Sequence, residues 1–371
     1  MKIDNRITQL AQNIVGFSLQ LKAGDVFYVD MVGLDTSELG QEIIRLGTER
    51  GATPYWSVFD DRFSKAFFRS ANEEQNRHFA DFHQKIMERV DAYVAVRGST
   101  NPYELGDLKP EQKGWKQKYF LNEVHMKTRL KKRWVVMRYP NAAMATMARE
   151  SQEAFEDFYF KVCNLDYSKM SEAMDPLVDL MMKTDRVRIV SPGTDIEFSI
   201  KGMPAIKCDG RINIPDGEVF TAPVKDSVNG VISYNTTSLY DGILYQDLKL
   251  EVKEGKIFRA TCPQKQKEVD KVFETDPGAR YFGEFAIGVN PFVLEPMNDT
   301  LFDEKIKGSI HLTPGNSYDN CDNGNKSAVH WDLVLIQRAS HGGGEIYFDG
   351  KLIRKNGVFT LDSLKGLDSS F

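Results

Sequence analysis

The chain has 371 residues, of which 41% are hydrophobic and 27% charged, and a formal net charge of −5. That length exceeds one ordinary core and divides most naturally into two domains. The acidic balance excludes a chain-wide basic field of the kind that draws nucleic acid or an anionic membrane surface, so the expected partner is a small molecule or a peptide.

The opening residues MKIDNRITQL set Asp4 and Arg6 among the apolar ones, which breaks the hydrophobic stretch a signal peptide needs. No later segment has the roughly eighteen apolar residues that span a bilayer. Cys163, Cys208, Cys262 and Cys321 lie far apart with no Cys-x-x-Cys pair, and read as reduced, mostly buried thiols rather than a zinc knuckle. The cytoplasm is the expected compartment.

Ile7, Leu10, Ala11, Ile14, Val15 and Leu19 recur at helical spacing and predict a helix over 5–20, with the strand VFYVDMVG after it. Ser37 is the expected cap of a second helix that carries Ile43, Ile44 and Leu46; Gly51 ends it and TPYWSVFD resumes as a strand. A third helix over 72–89 precedes the strand VDAYVAVRG, and RWVVMRYP is followed by a long helical stretch over 141–162. This alternation predicts an α/β domain with a largely parallel sheet over 1–185. Beyond it, RVRIV, DIEFSI, GVISYN and KLEVKEGKIFRA are separated by Gly, Asn, Asp and Pro turns, predicting a β-rich α+β domain over 186–371.

Of six histidines, His311, His330 and His341 fall in the last part of the chain. In AVHWDLVLI, His330 and Asp332 are two apart, so on an extended strand both side chains leave the same face and can reach one ion, while Trp331 and Leu333 face the other way. An imidazole with a carboxylate suits zinc, cobalt or manganese. His311 follows Asp303 and Glu304 and precedes Tyr318, and Glu218 and Glu284 lie upstream among apolar neighbours, where a charge is costly unless an ion or partner compensates it. Each position also has a plainer reading: a hydrogen-bonded core histidine, a salt-bridged turn carboxylate, a packed tyrosine, and for His341, before three glycines, a loop residue. The basic run from Lys127 to Arg133 lacks interleaved aromatics and reads as a solvated helix face, not a nucleic-acid surface.

The blocks PDGEVFTAPVKDSVNGVI, GARYFGEFAIG, DTLFDEKIKGSIHLTPGNSY and SAVHWDLV, in that order, resemble the thermophilic-type metalloaminopeptidases, the aminopeptidase T and aminopeptidase S family, metallopeptidase family 29. KAGDVFYVD, RWVVMRYPNAAMATMA and FEDFYFKVCNLDYSKM extend the resemblance over essentially the whole chain. It implies that Glu218, Glu284, Glu304, His311, His330 and Asp332 are metal ligands and that Tyr318 stands beside the metals. It further implies a homodimer and hydrolysis of the N-terminal peptide bond of short peptides. Two divalent ions (zinc, cobalt, manganese or magnesium) would acidify a water and polarise the carbonyl. Glu284 is the expected bridging ligand, the proton acceptor is either Glu284 or a carboxylate that shifts off the metal, and Tyr318 is the expected donor to the oxyanion. Thr313-Pro314 departs from the small apolar residues common in the family. The competing readings are a metal-dependent amidohydrolase or carboxypeptidase, and a metal-binding homologue without turnover.

Overall fold

The computed structural model describes residues 3–101 and 103–371. The chain divides into two compact units, Met1–Asn164 with Gly210–Ile214, and Leu165–Asp209 with Pro215–Phe371.

The first unit is built on a five-stranded parallel sheet in the order Thr53–Phe59, Val26–Val32, Ala92–Arg97, Arg133–Arg138, Asn213–Ile214. Its two central strands are buried almost throughout, as expected where crossover helices cover both faces of a parallel sheet. The helix Glu73–Arg89 starts at Asn72, whose side chain accepts from the Gln75 backbone N–H while Gln75 answers on the Asn72 N–H. The expected parallel α/β domain is therefore present, with differences in detail. Thr36, not Ser37, takes the cap position of the second helix, and Ser37 Oγ instead donates to the Leu34 carbonyl. The stretch expected as one helix over 141–162 is two, Ala142–Ala148 and Gln152–Cys163. Arg149 turns left-handed between them at φ 62°, and Ser151 caps the new start by accepting from the Ala154 N–H.

The second unit holds an eight-stranded antiparallel sheet and a five-stranded antiparallel sheet. The five-stranded sheet runs Val334–Ile336, Ser309–Pro314, Phe282–Gly288, Glu218–Thr221, Ile206–Cys208. The sheets share a core, in which the rings of Phe198 and Phe285 meet edge to face at 5.0 Å and Tyr234 donates its hydroxyl to the Leu312 carbonyl at 2.8 Å. The β-rich second half is as the turn-punctuated sequence implies. The expected boundary at 185 falls at the far end of the helix Tyr167–Lys183, which clusters with the second unit. That helix buries Met170, Met174, Leu177 and Met181, and Lys207 from the five-stranded sheet pairs with its Asp175 at 2.6 Å. Among the described residues no helix is long and apolar enough to cross a membrane.

Candidate metal centre

Strand register collects the site. Glu284 lies opposite Thr313, Ala286 opposite His311 and Gly288 opposite Glu218. Because side chains alternate along a strand, Glu284, Ala286 and Gly288 share one face, and Glu218, His311 and Thr313 present to that same face. The other face carries Phe285, Ile287 and Leu312 into the core. Small residues at 286 and 288 leave the room that the polar side chains fill. At Gly288 a β-carbon would come within 2.4 Å of the Ile306 carbonyl oxygen, so only glycine lets the segment carrying Glu304 and Lys305 lie over the sheet.

His330 and Asp332 enter from the edge. His330 forms an isolated bridge with Gly315, and Asp332 precedes the edge strand Val334–Ile336. Trp331 between them turns the opposite way, stacked on Tyr240 at 4.9 Å with its indole N–H donating to Ser238. The same-face expectation for His330 and Asp332 holds: Nε2 of His330 lies 3.3 Å from Oδ1 of Asp332 and 3.3 Å from Oε2 of Glu284. Nε2 of His311 lies 3.4 Å from Oε1 of Glu284 and 3.6 Å from Oε2 of Glu218. His330 donates from Nδ1 to the Asn316 carbonyl at 2.8 Å, which leaves Nε2 to face the carboxylates.

These separations exceed the roughly 2.8 Å of a charge-assisted hydrogen bond. They match the ~3.4 Å between neighbouring ligands of a tetrahedral ion bound at about 2.1 Å. Glu218 Oε2 and His330 Nε2 are buried with no hydrogen-bond partner. Two triplets, Glu218 with Glu304 and His311, and Glu284 with His311 and Asp332, each bring one oxygen or nitrogen per residue within 4.8 Å of one another. The residues present fit a divalent cation.

The electrostatics agree. Burial opposes charge on His330, yet Asp332 and Glu284 outweigh it and raise its pKa to about 12; Glu218 and Glu284 likewise raise His311 to about 9 against burial. A field that holds protons on buried imidazoles holds a cation in their place. Burial, relieved only in part by Lys305, pushes Glu304 up to about 8. Tyr318, 44% exposed, lays its ring 4.7 Å from that of His330, and desolvation followed by the charges of Glu284 and Asp332 raises its hydroxyl well above the usual phenol range.

All six expected ligands and Tyr318 thus converge on one neighbourhood. Asp303 does not join them: its carboxylate accepts from the Met297 and Asn298 backbone N–H groups. His341 sits in a loop facing Glu295. Sequence reasoning missed Lys305, whose ammonium is 2.7 Å from both Glu218 Oε1 and Glu304 Oε1 and 3.5 Å from Asp216 Oδ1, with its side chain 1% exposed. In DEKIKG it reads as a solvated charge, and no local signal marks it otherwise.

This cluster defines a candidate metal-binding protein, and the family it falls in makes it a peptide-bond hydrolase. The sequence matches the family described as thermophilic metalloprotease (M29) over residues 3–358, and the chain belongs to that family. Aminopeptidase 2 of Geobacillus stearothermophilus is 22% identical over 398 aligned positions, covering 94% of this chain and 94% of the relative. Aminopeptidase T of Thermus aquaticus is 29% identical over 186 positions, covering 43% of this chain and 44% of the relative. Wild-type AmpT from Thermus thermophilus superposes with a TM-score of 0.80 at 19% identity, covering 97% of this chain and 100% of that one. A 2,5-dihydroxypyridine dioxygenase from Pseudomonas putida superposes with a TM-score of 0.62 at 14% identity, covering 98% and 100%. These two likenesses concern the fold alone, and the fold hosts more than one chemistry.

Proposed function

We propose that this chain is an aminopeptidase that removes the N-terminal residue of short peptides by attack of a metal-activated water. The observation that carries the reading is the set of stretched separations, 3.3 to 3.6 Å, among His311, His330, Glu284, Glu218 and Asp332. Relatives of this chain that bear the name aminopeptidase support the peptide substrate.

In this reading Glu284, His311, His330 and Asp332 would hold the ion, with Glu218 Oε2 beside them. A divalent cation held there, whether zinc, cobalt, manganese or magnesium, would supply an acidified water and a Lewis acid for the scissile carbonyl. Glu284, whose two oxygens face different imidazoles, is the proton acceptor. It lies within reach of both histidines, and burial keeps solvent from competing. Tyr318 keeps its hydroxyl proton and donates a hydrogen bond to the developing oxyanion. The same reading takes the chain as a cytoplasmic homodimer.

The test is release of the first residue from a free peptide and from its N-acetylated twin. Cleavage of the free peptide alone is expected, because an exopeptidase must recognise the α-amine. Equal cleavage of both would move the chain to the amidohydrolases, and metal binding without turnover of either would make it a non-catalytic homologue.

A further inference from the structure

We infer that Lys305 fills the place of a second cation in this cluster, so that the chain holds one divalent ion although its carboxylates would serve two. The inference rests on the reading of the cluster as a metal centre and concerns how many ions that centre takes.

Two kinds of spacing divide the cluster. Around His311, His330, Glu284 and Asp332, ligand atoms stand 3.3 to 3.4 Å apart, too far for a charge-assisted hydrogen bond and right for sharing an ion. Around Lys305 the spacing is closed, with Nζ 2.7 Å from Glu218 Oε1 and 2.7 Å from Glu304 Oε1. A second ion would need the triplet Glu218, Glu304 and His311, and two of those three residues already give an oxygen to the ammonium. Asp216, fully buried, adds a third carboxyl group 3.5 Å away.

The main chain that carries Lys305 is held on both sides. Its backbone carbonyl accepts from the Asn290 N–H at 3.1 Å and its own N–H donates to the Phe302 carbonyl at 3.0 Å. Its segment is pressed onto Gly288. Withdrawing the ammonium would leave these buried carboxylates uncompensated, which is strongly unfavourable in a buried ion pair. Lys305 is thus a fixed monovalent cation that holds Glu218 Oε1 and Glu304 away from metal and leaves Glu218 Oε2 turned to His311.

The experiment counts ions on the full chain, stripped with chelator, loaded with excess zinc and freed of unbound metal. Wild type is expected to retain about one zinc per chain, Lys305→Arg about one, and Lys305→Met about two, because the triplet is then released. With manganese as the probe, wild type should give the paramagnetic resonance spectrum of an isolated ion and Lys305→Met that of a coupled pair. Two ions on wild type, or one on a folded Lys305→Met, would overturn the inference while leaving the metal centre intact. No retained ion on wild type would overturn the metal centre itself. If Lys305→Met does not fold, the wild-type count and the manganese spectrum decide alone.

Discussion

Thr313 donates its hydroxyl to Oδ1 of Asp332 at 2.8 Å, the same oxygen that faces Nε2 of His330. Thr313 therefore orients a carboxylate that the proposed function assigns to the metal. Thr313→Val keeps the shape and removes the donor. Metal affinity should fall about 10- to 100-fold, the usual loss when a group that orients a ligand is deleted, as read by competition with a chromophoric chelator. An unchanged affinity would show that Asp332 needs no such support.

Tyr318 stands over His330 without forming part of either ligand triplet. Tyr318→Phe should therefore leave zinc content unchanged and lower kcat about 100-fold or more, as deletion of one oxyanion donor does. A rise in KM with kcat intact would make the ring a substrate contact instead.

Glu284→Gln removes the negative charge shared by His311 and His330. Steady-state peptide cleavage by this variant should drop about 100- to 10,000-fold, the range for a lost proton acceptor. Near-normal turnover would take Glu284 out of the chemistry.

Gly315 has φ 105°, and a β-carbon there would come within 2.0 Å of the Val329 carbonyl oxygen, beside the bridge that seats His330. Gly315→Ala should lose at least about 1–3 kcal/mol of stability from backbone strain and weaken metal binding as His330 shifts. Denaturant unfolding and the chelator competition check both effects, and a stable variant with intact affinity would contradict them.

In the first unit, His125 packs 5.0 Å from the Phe120 ring, and its pKa falls to about 4, chiefly through burial and then through Arg129. The folded chain therefore binds fewer protons there than the unfolded chain, whose imidazole titrates near 6.5. The stability His125 contributes is complete above about 6.5 and drains as the pH falls toward about 4. His125→Phe should flatten this part of the stability profile in urea melts. Parallel wild-type and variant profiles would assign the acid sensitivity elsewhere.

What the sequence revealed follows from which interactions are local. His330 and Asp332 were legible because alternation along an extended segment needs no knowledge of the rest of the fold. The parallel sheet was legible because strand-like and helical runs alternate along the first half and its central strands are mostly apolar. Glu218 and Glu284 were singled out as charges among apolar neighbours and His311 by the clustering of histidines, but their meeting depends on strand register, which only the family resemblance anticipated. Lys305 stayed hidden because the close approach of its segment to Gly288 appears only once the strands pair. The attachment of Tyr167–Lys183 to the second unit was likewise set by packing that no short window contains, whereas the break at Arg149 has a local mark, the Ser151 cap, that the helical periodicity masked.

The most direct test of the account is anomalous diffraction at the zinc edge from crystals of the zinc-loaded chain. The account predicts a peak within about 2.0–2.3 Å of Nε2 of His330, Nε2 of His311 and oxygens of Glu284 and Asp332. A zinc-loaded crystal with no peak among those four side chains, or with its peak elsewhere in the chain, would contradict it.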